Sequence, residues 1–204
     1  MKRKPKMHSL PLEHQLQIIG QRAKTRQINP RDGYLEVYPE LLAGVQVLLP
    51  LDRQRLILAA HAVFGWMPTQ LKVNMGQIDE AHVVLKRVLN NGSQITMNDL
   101  AFLASTFKTV KGNSVVAVSK VLHFLAPDHF PIWDRLVAKT WGLSPNGSSA
   151  ATNYHRFIHA CRTFISNPNG KSACNQLRGH LANSGYTYSM SDMRVIELIF
   201  FLSP

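Results

Sequence analysis

KGNSVVAVSKVLHFLAPDHFPIWDRLVAKTWGL, residues 111–143, is the stretch from which the rest of the chain can be read. Val115, Val118, Val121, Leu122 and Leu125 recur at helical spacing and form one apolar stripe. Asn113, Val116, Lys120 and His123 fall on a second face, so polar groups run beside that stripe. Pro127 closes the helix, because proline cannot continue the hydrogen-bond ladder. Pro131 follows, just ahead of Ile132, Trp133 and Asp134, and then Leu136, Val137, Thr140 and Trp141 resume helical periodicity up to Gly142, a C-terminal stop. Asp134 therefore stands at or near a helix start. It is the only acid between Asp128 and Asp192, amid Lys120, Arg135 and Lys139. An Asp at that position is ordinarily an N-cap, favoured by the positive end of the helix dipole. The stiff, apolar approach through Trp133 and two prolines also suits a carboxylate held for chemistry.

Working outward, residues 97–107 (MNDLAFLASTF) read as a short amphipathic helix with Thr96 or Asn98 to cap it, and residues 109–113 (TVKGN) as a tight turn on Gly112. The order is helix, Gly-containing hairpin, helix, Pro-rich loop, Asp, helix. That order, ending in PIWDRLVAKTWGL, resembles the helix-hairpin-helix DNA glycosylase superfamily, whose members include the 8-oxoguanine, adenine-mismatch and alkylpurine glycosylases. The resemblance implies an all-α fold of two helical lobes around a cleft. It makes Asp134 the catalytic carboxylate at the mouth of a base pocket. It gives residues 111–114 the part of a hairpin that holds a DNA phosphate, so that Lys108, Lys111, Gly112, Asn113, Ser114, Arg135 and Lys139 meet DNA. Trp66, Gln70, Lys120, His123 and Trp133 are the candidate base-pocket residues. The family usually has two glycines around an apolar residue in the hairpin, and this chain has Gly112 alone. Members that also cleave the strand carry a lysine just after the hairpin; that register falls near Ser114, which implies a monofunctional enzyme that leaves an abasic site.

The 204 residues suit one domain spanning 1–204, with residues 1–8 (beginning MKRKPK) a basic arm. A hydrophobic fraction of 45% is enough for a core. The formal net charge of +11, from 23 Lys and Arg against 12 Asp and Glu, points to an anionic partner; the resemblance makes it double-stranded DNA. No apolar run reaches membrane-spanning length and no signal peptide precedes the chain, so no membrane partner and a cytoplasmic monomer are expected. Cys161 and Cys174 are isolated thiols, short of the four-cysteine iron–sulfur cluster some relatives carry. His155 and His159 have ligand-like spacing without an accompanying ligand set. No metal and no cofactor are expected.

The remaining segments read as helices too. Residues 10–27 form a mixed helix, residues 29–33 a strong turn, Pro39 the start of an apolar helix (PELLAGVQVLL), and Pro50-Leu51-Asp52 the start of another on which His61 sits as a core residue. Trp66 either closes the core or stacks on an extruded base, with Gln70 and Lys72 beside it. Residues 78–89 make an amphipathic helix. Residues 144–152 are a small-residue loop into a helix over residues 153–165, Pro168-Asn169-Gly170 is a turn, and residues 173–182 and 192–202 are helices, the last one core with Arg194 and Glu197 paired at i,i+3. No strand alternation stands out.

Base excision breaks an N-glycosidic bond, and the base must first leave the duplex for a pocket. The sugar then develops oxocarbenium charge, which a fixed carboxylate stabilises while orienting or deprotonating a water. Asp134 is the one acid read in such a setting; Asp128 reads as solvated, Asp99 and Asp192 as caps. Lys120, His123 and Asn113 are candidate donors to the leaving base, with Lys120 equally readable as a phosphate contact or a solvent-facing lysine. The substrate is a damaged base of DNA repair or a hypermodified one, such as glucosylated hydroxymethylcytosine in phage DNA, which would make the protein an antiviral defence enzyme. The polar helix of residues 171–183 and the loop of residues 144–152 then supply an open pocket or are plain surface. The alternative is a non-catalytic helical DNA- or RNA-binding module in which Asp134 is only a cap.

Overall fold

The computed structural model describes residues 33–66, 70–91, 94–186 and 188–201, with Ser9, His14, Ile18 and Gln21. The basic arm, most of the helix expected over residues 10–27, and Met67 lie outside the described residues. The described elements are mostly helical: α1 (Gly33–Gln46), α2 (Arg53–Gly65), β1 (Leu71–Val73), a single 3-10 turn (Met75–Gln77), α3 (Ile78–Asn90), α4 (Met97–Thr106), β2 (Phe107–Thr109), β3 (Gly112–Asn113), α5 (Val115–Leu125), α6 (Arg135–Trp141), α7 (Ala150–Ser166), α8 (Pro168–Asn183) and α9 (Asp192–Phe201).

The organising helix is α5. Nine of its residues are buried, and it packs against α1, α2, α4, α7 and β2. Ser114 caps its start by accepting from the Ala117 N–H, and the chain leaves it at Ala126, ahead of Pro127. Its two residues that are not buried, Val116 and Lys120, lie four apart and so share one face.

Several ends form where capping chemistry places them. Thr96 and Asp99 close a capping box on α4, Asp52 caps α2, and Gly142 stops α6 in the left-handed conformation (φ 81°) with its N–H directed at the Ala138 and Lys139 carbonyls. Two boundaries differ from expectation. Pro39 lies inside α1, which begins at Gly33; proline lacks an N–H, so the carbonyl one turn back forgoes that intrahelical bond. Residues 168–170 are not a free turn but the first turn of α8, because Asn167 accepts from the Asn169 N–H and proline is well suited to the first helical position. Gly170 is needed there, since a Cβ would come 1.9 Å from the Phe164 carbonyl oxygen.

The predominance of helix agrees with the all-α expectation, and one small sheet adds to it. Three short strands form an antiparallel sheet of order β1-β2-β3, with Lys72 opposite Lys108 and Thr109 opposite Gly112. The tight turn on Gly112 (φ 105°) is thus a β-hairpin with Val110 and Lys111 at its tip, laced to the segment after Trp66. Strands of two or three residues are too short to show an alternation. The sequence placed His61 in the core, but it is exposed and bonds back to the Ile57 carbonyl. No described helix is long and apolar enough to cross a membrane.

Candidate functional site

A cleft of about 1060 Å³ opens between the hairpin, the exposed face of α5, the start of α6 and α9. Its lining includes Trp66, Gln70, Lys111, Asn113, Ser114, Val116, Lys120, Asp134 and Arg135. The spacing argument for α5 explains part of this: Val116 and Lys120 face the cleft because the other side of the helix is consumed by the core. A loop carrying Pro145, Asn146 and Gly147 completes one wall.

Asp134 is half-buried and is the N-cap of α6, where Oδ1 accepts from the Val137 N–H at 2.8 Å. Oδ2 has no hydrogen-bond partner among the described residues. The ordinary and the functional readings of this residue are therefore compatible: one oxygen fixes the carboxylate and the other is left to the cleft. Lys120 Nζ sits 5.0 Å from the centroid of the Trp66 ring. Burial lowers the pKa of its amine, while Asp134 and Glu197 raise it.

Two candidate pocket residues are elsewhere. His123 is wholly buried, bonded to the Tyr38 hydroxyl at 2.7 Å and to the Phe130 carbonyl at 2.6 Å. A carbonyl only accepts, so Nδ1 carries the proton and Nε2 accepts from the tyrosine. Burial and then Arg194 push this histidine down to about 3, so it stays neutral. By spacing it shares the helix face of Val116 and Lys120, but it stands one turn farther along α5, where Tyr38 and Phe130 cover it. Trp133 is also fully buried. Its ring packs on Tyr154 and Phe157, and its backbone N–H and carbonyl both bond to Ser119 Oγ. Trp133 thus anchors the loop that presents Asp134, and does not line the cleft itself.

The candidate DNA contacts also divide. Lys111, Asn113, Ser114 and Arg135 line the cleft. Lys108 and Gly112 belong to the hairpin strands behind that lining, and Lys139 is exposed farther along α6. The hairpin is not a row of free amides: the Ser114 N–H donates to the Ala104 carbonyl and the Lys111 N–H to Thr109 Oγ1. These two N–H groups are therefore already engaged within the chain.

Sequence reasoning missed the floor. Arg194 and Glu197 form the i,i+3 pair expected on α9, but they line the cleft and are not part of a featureless core. Both are buried, at 3% and 1% exposure. The Arg194 guanidinium also lies 4.4 Å from the Tyr38 ring centroid. Burial pushes Glu197 up to about 7; Arg194 opposes that and Asp134 adds to it. Asp134 is thus not the only acid in the setting. The signal was present in MRVIELIFF: one cation and one anion, three apart, in an otherwise apolar helix are a buried pair.

Comparison of the chain with protein-family models, curated proteins and solved structures finds no match.

Proposed function

We propose that this protein is a monofunctional DNA glycosylase that extrudes a modified base into the cleft and hydrolyses its N-glycosidic bond. One observation carries the reading: a carboxylate held by a single oxygen, at the edge of a cleft of about 1060 Å³, beside a basic hairpin. A volume of that size suits a nucleobase and part of its sugar, since small-molecule sites run to about 300–1,000 Å³. In this reading the fold is helix-hairpin-helix in character: α4, the hairpin, α5, the Pro-rich loop, Asp134 and α6 follow the order that carried the resemblance.

Double-stranded DNA reaches the cleft along Lys111, Arg135, Lys108 and Lys139, supported by the net charge of +11. The flipped base enters between the Trp66 and Lys120 side and the floor. Asp134 Oδ2 stabilises the oxocarbenium that develops as the base departs and takes a proton from the attacking water. Ser114 occupies the register of the strand-cleaving lysine and cannot form an imine, so the product is an intact strand with an abasic site. The open wall formed by Pro145, Asn146 and Gly147 suits a base carrying a bulky substituent, which keeps glucosylated hydroxymethylcytosine and a role in phage defence among the substrates to test.

The cap bond from Val137 favours the second reading, a non-catalytic DNA-binding module, because it gives Asp134 a sufficient structural reason to exist. Incubation with DNAs of diverse base chemistry, followed by mass spectrometry of the released bases, separates the two. Release of a free base with an abasic strand supports the glycosylase. Salt-sensitive binding without any released base leaves the binding module.

A further inference from the structure

Flipping a base and activating water at Asp134 make no use of the two charges in the cleft floor. Glu197 meets Arg194 Nη1 through Oε2, and its Oε1 has no hydrogen-bond partner among the described residues. On the other side of the cleft, Lys120 Nζ covers the Trp66 ring at 5.0 Å. These two arrangements bear on how a base leaves. When the C1′–N bond breaks, the electron pair goes to the base nitrogen. A neutral base departs as an anion unless it receives a proton. A cationic alkylpurine departs already neutral and needs none. A pocket for a cationic base offers it an open aromatic face. Here that face is occupied by the protein's own amine, and Arg194 adds a second cation to the floor.

We infer that the cleft is built for a neutral base, with Glu197 as the acid whose Oε1–H protonates that base as it departs. This rests on the glycosylase reading. The step balances as follows. The C1′–N bond breaks, its electrons go to the base, and the Glu197 proton is delivered to that base. Water forms the new C1′–O bond and gives a proton to Asp134. The net change is hydrolysis, and one proton returns from Asp134 to Glu197 through solvent once the base has gone.

Burial is the main reason the protonated form is present near neutral pH, with the Asp134 charge adding to it and Arg194 and Lys120 opposing it, for a resulting value of about 7. The groups linked electrostatically to Glu197 are Arg194 on its own helix, Lys120 on α5, Asp134 at the start of α6, Tyr38 on α1, Tyr154 and Cys161 on α7, and Tyr188 ahead of α9. Burial raises the pKa of the three tyrosines and the cysteine, so all stay neutral through that range. The neighbouring His123 stays neutral as well. The charge that changes there is that of Glu197.

The test uses the full chain and two kinds of DNA. Dimethyl-sulfate-treated DNA presents cationic 7-methylguanine and 3-methyladenine, with an enzyme-free blank for spontaneous loss. DNAs containing uracil, 8-oxoguanine or glucosylated hydroxymethylcytosine present neutral bases. The wild type is expected to release a neutral base and no methylpurine. Glu197→Gln keeps the shape and the bond to Arg194 but cannot give up a proton; its rate should fall about 10²-fold or more. The wild-type rate should decline as pH rises through about 7, and the variant should lack that decline. Lys120→Met uncovers the indole face without touching the ion pair and should gain methylpurine release. Methylpurine release by the wild type overturns the inference, as does a cooperatively melting Glu197→Gln with the wild-type rate and pH profile. Where Glu197→Gln does not fold, Lys120→Met decides, and its continued refusal of methylpurines overturns the inference. If the wild type releases no base at all, the glycosylase reading falls first and takes this inference with it.

Discussion

The hairpin of residues 107–114, through Thr109, Val110, Lys111, Asn113 and Ser114, and the Arg194–Glu197 pair line one cleft, but they are assembled on different principles. The hairpin is local: two strands joined by a two-residue turn, polar, largely exposed, with Val110 at its tip 52% exposed. The floor is non-local. Its Arg194 rests on Tyr38, and Tyr38 is held by His123 from 85 positions away. A surface made of neighbours can change a side chain without disturbing its support. A floor that buries a guanidinium against a carboxyl group cannot, because removing either side leaves the other buried without its partner. In the proposed function, the rim is where binding would be tuned, and the floor is where fold and chemistry would be coupled.

The sharpest way to break this contrast is to remove one partner of the floor. Arg194→Ala leaves Glu197 buried without its guanidinium, and a broken buried pair typically costs ~3–5 kcal/mol. Chemical denaturation should show the loss, while the same change at Lys108 or Lys111 leaves the midpoint where it was. A floor variant as stable as wild type would mean the pair is solvated in solution.

Next in size is Asp134→Asn. Asparagine caps a helix about as well as aspartate, so α6 should survive, whereas a removed electrostatic contact to the transition state is worth ~10²–10³ in rate. Single-turnover excision should fall by that factor with DNA affinity kept. A fall in melting temperature with excision unchanged would return Asp134 to the role of a cap.

The fold-level expectations held where the chemistry is local. Thr96 and Gly142 act at helix ends, a helix starts at Asp52, and the stripe on α5 is buried as its spacing requires. Of the candidate site residues, Asp134, Lys120, Lys111, Asn113, Ser114, Arg135, Trp66 and Gln70 share the cleft. The misplacements have one cause. His123 and Trp133 are near the site in sequence, but burial depends on what distant segments pack against a residue: Tyr38 and Phe130 cover His123, and Tyr154 and Phe157 cover Trp133. Glu197 was passed over for the converse reason, since its partners in the cleft come from α5 and α6 and no local pattern announces them.

A smaller effect separates rim from floor by pH. Glu197 has its folded pKa raised from 4.5 to about 7. Between those values the folded state holds a proton that the unfolded state has lost, so stability from this group is present at low pH and declines as pH rises through about 7. His123 works the other way: its folded pKa is lowered from 6.5 to about 3, and stability is lost as pH falls below 6.5. Melting temperature against pH should lose its decline on the neutral side in Glu197→Gln and keep the one on the acid side. An unchanged curve would show that Glu197 is ionised throughout.

The smallest effect belongs to the rim. Replacing Lys108 and Lys111 by Gln should weaken binding alike on every duplex and reduce the salt slope of log K by about 2, close to one per phosphate contact. Sequence-dependent weakening would mean that the hairpin reads bases.

Lys72 and Lys108 stand directly opposite each other across β1 and β2. Opposed residues of an antiparallel pair project from the same side of the sheet, where like charges repel. In isolation, then, the sheet that carries the hairpin holds an unresolved repulsion within its first two strands. A polyanion laid over that side resolves it. Amide hydrogens of β1 and β2 should accordingly exchange with solvent quickly in the free protein and slowly on DNA, while those of α5 change little. On the proposed DNA binding, the hairpin would be a clamp that becomes rigid when loaded, and its rigidity would report occupancy.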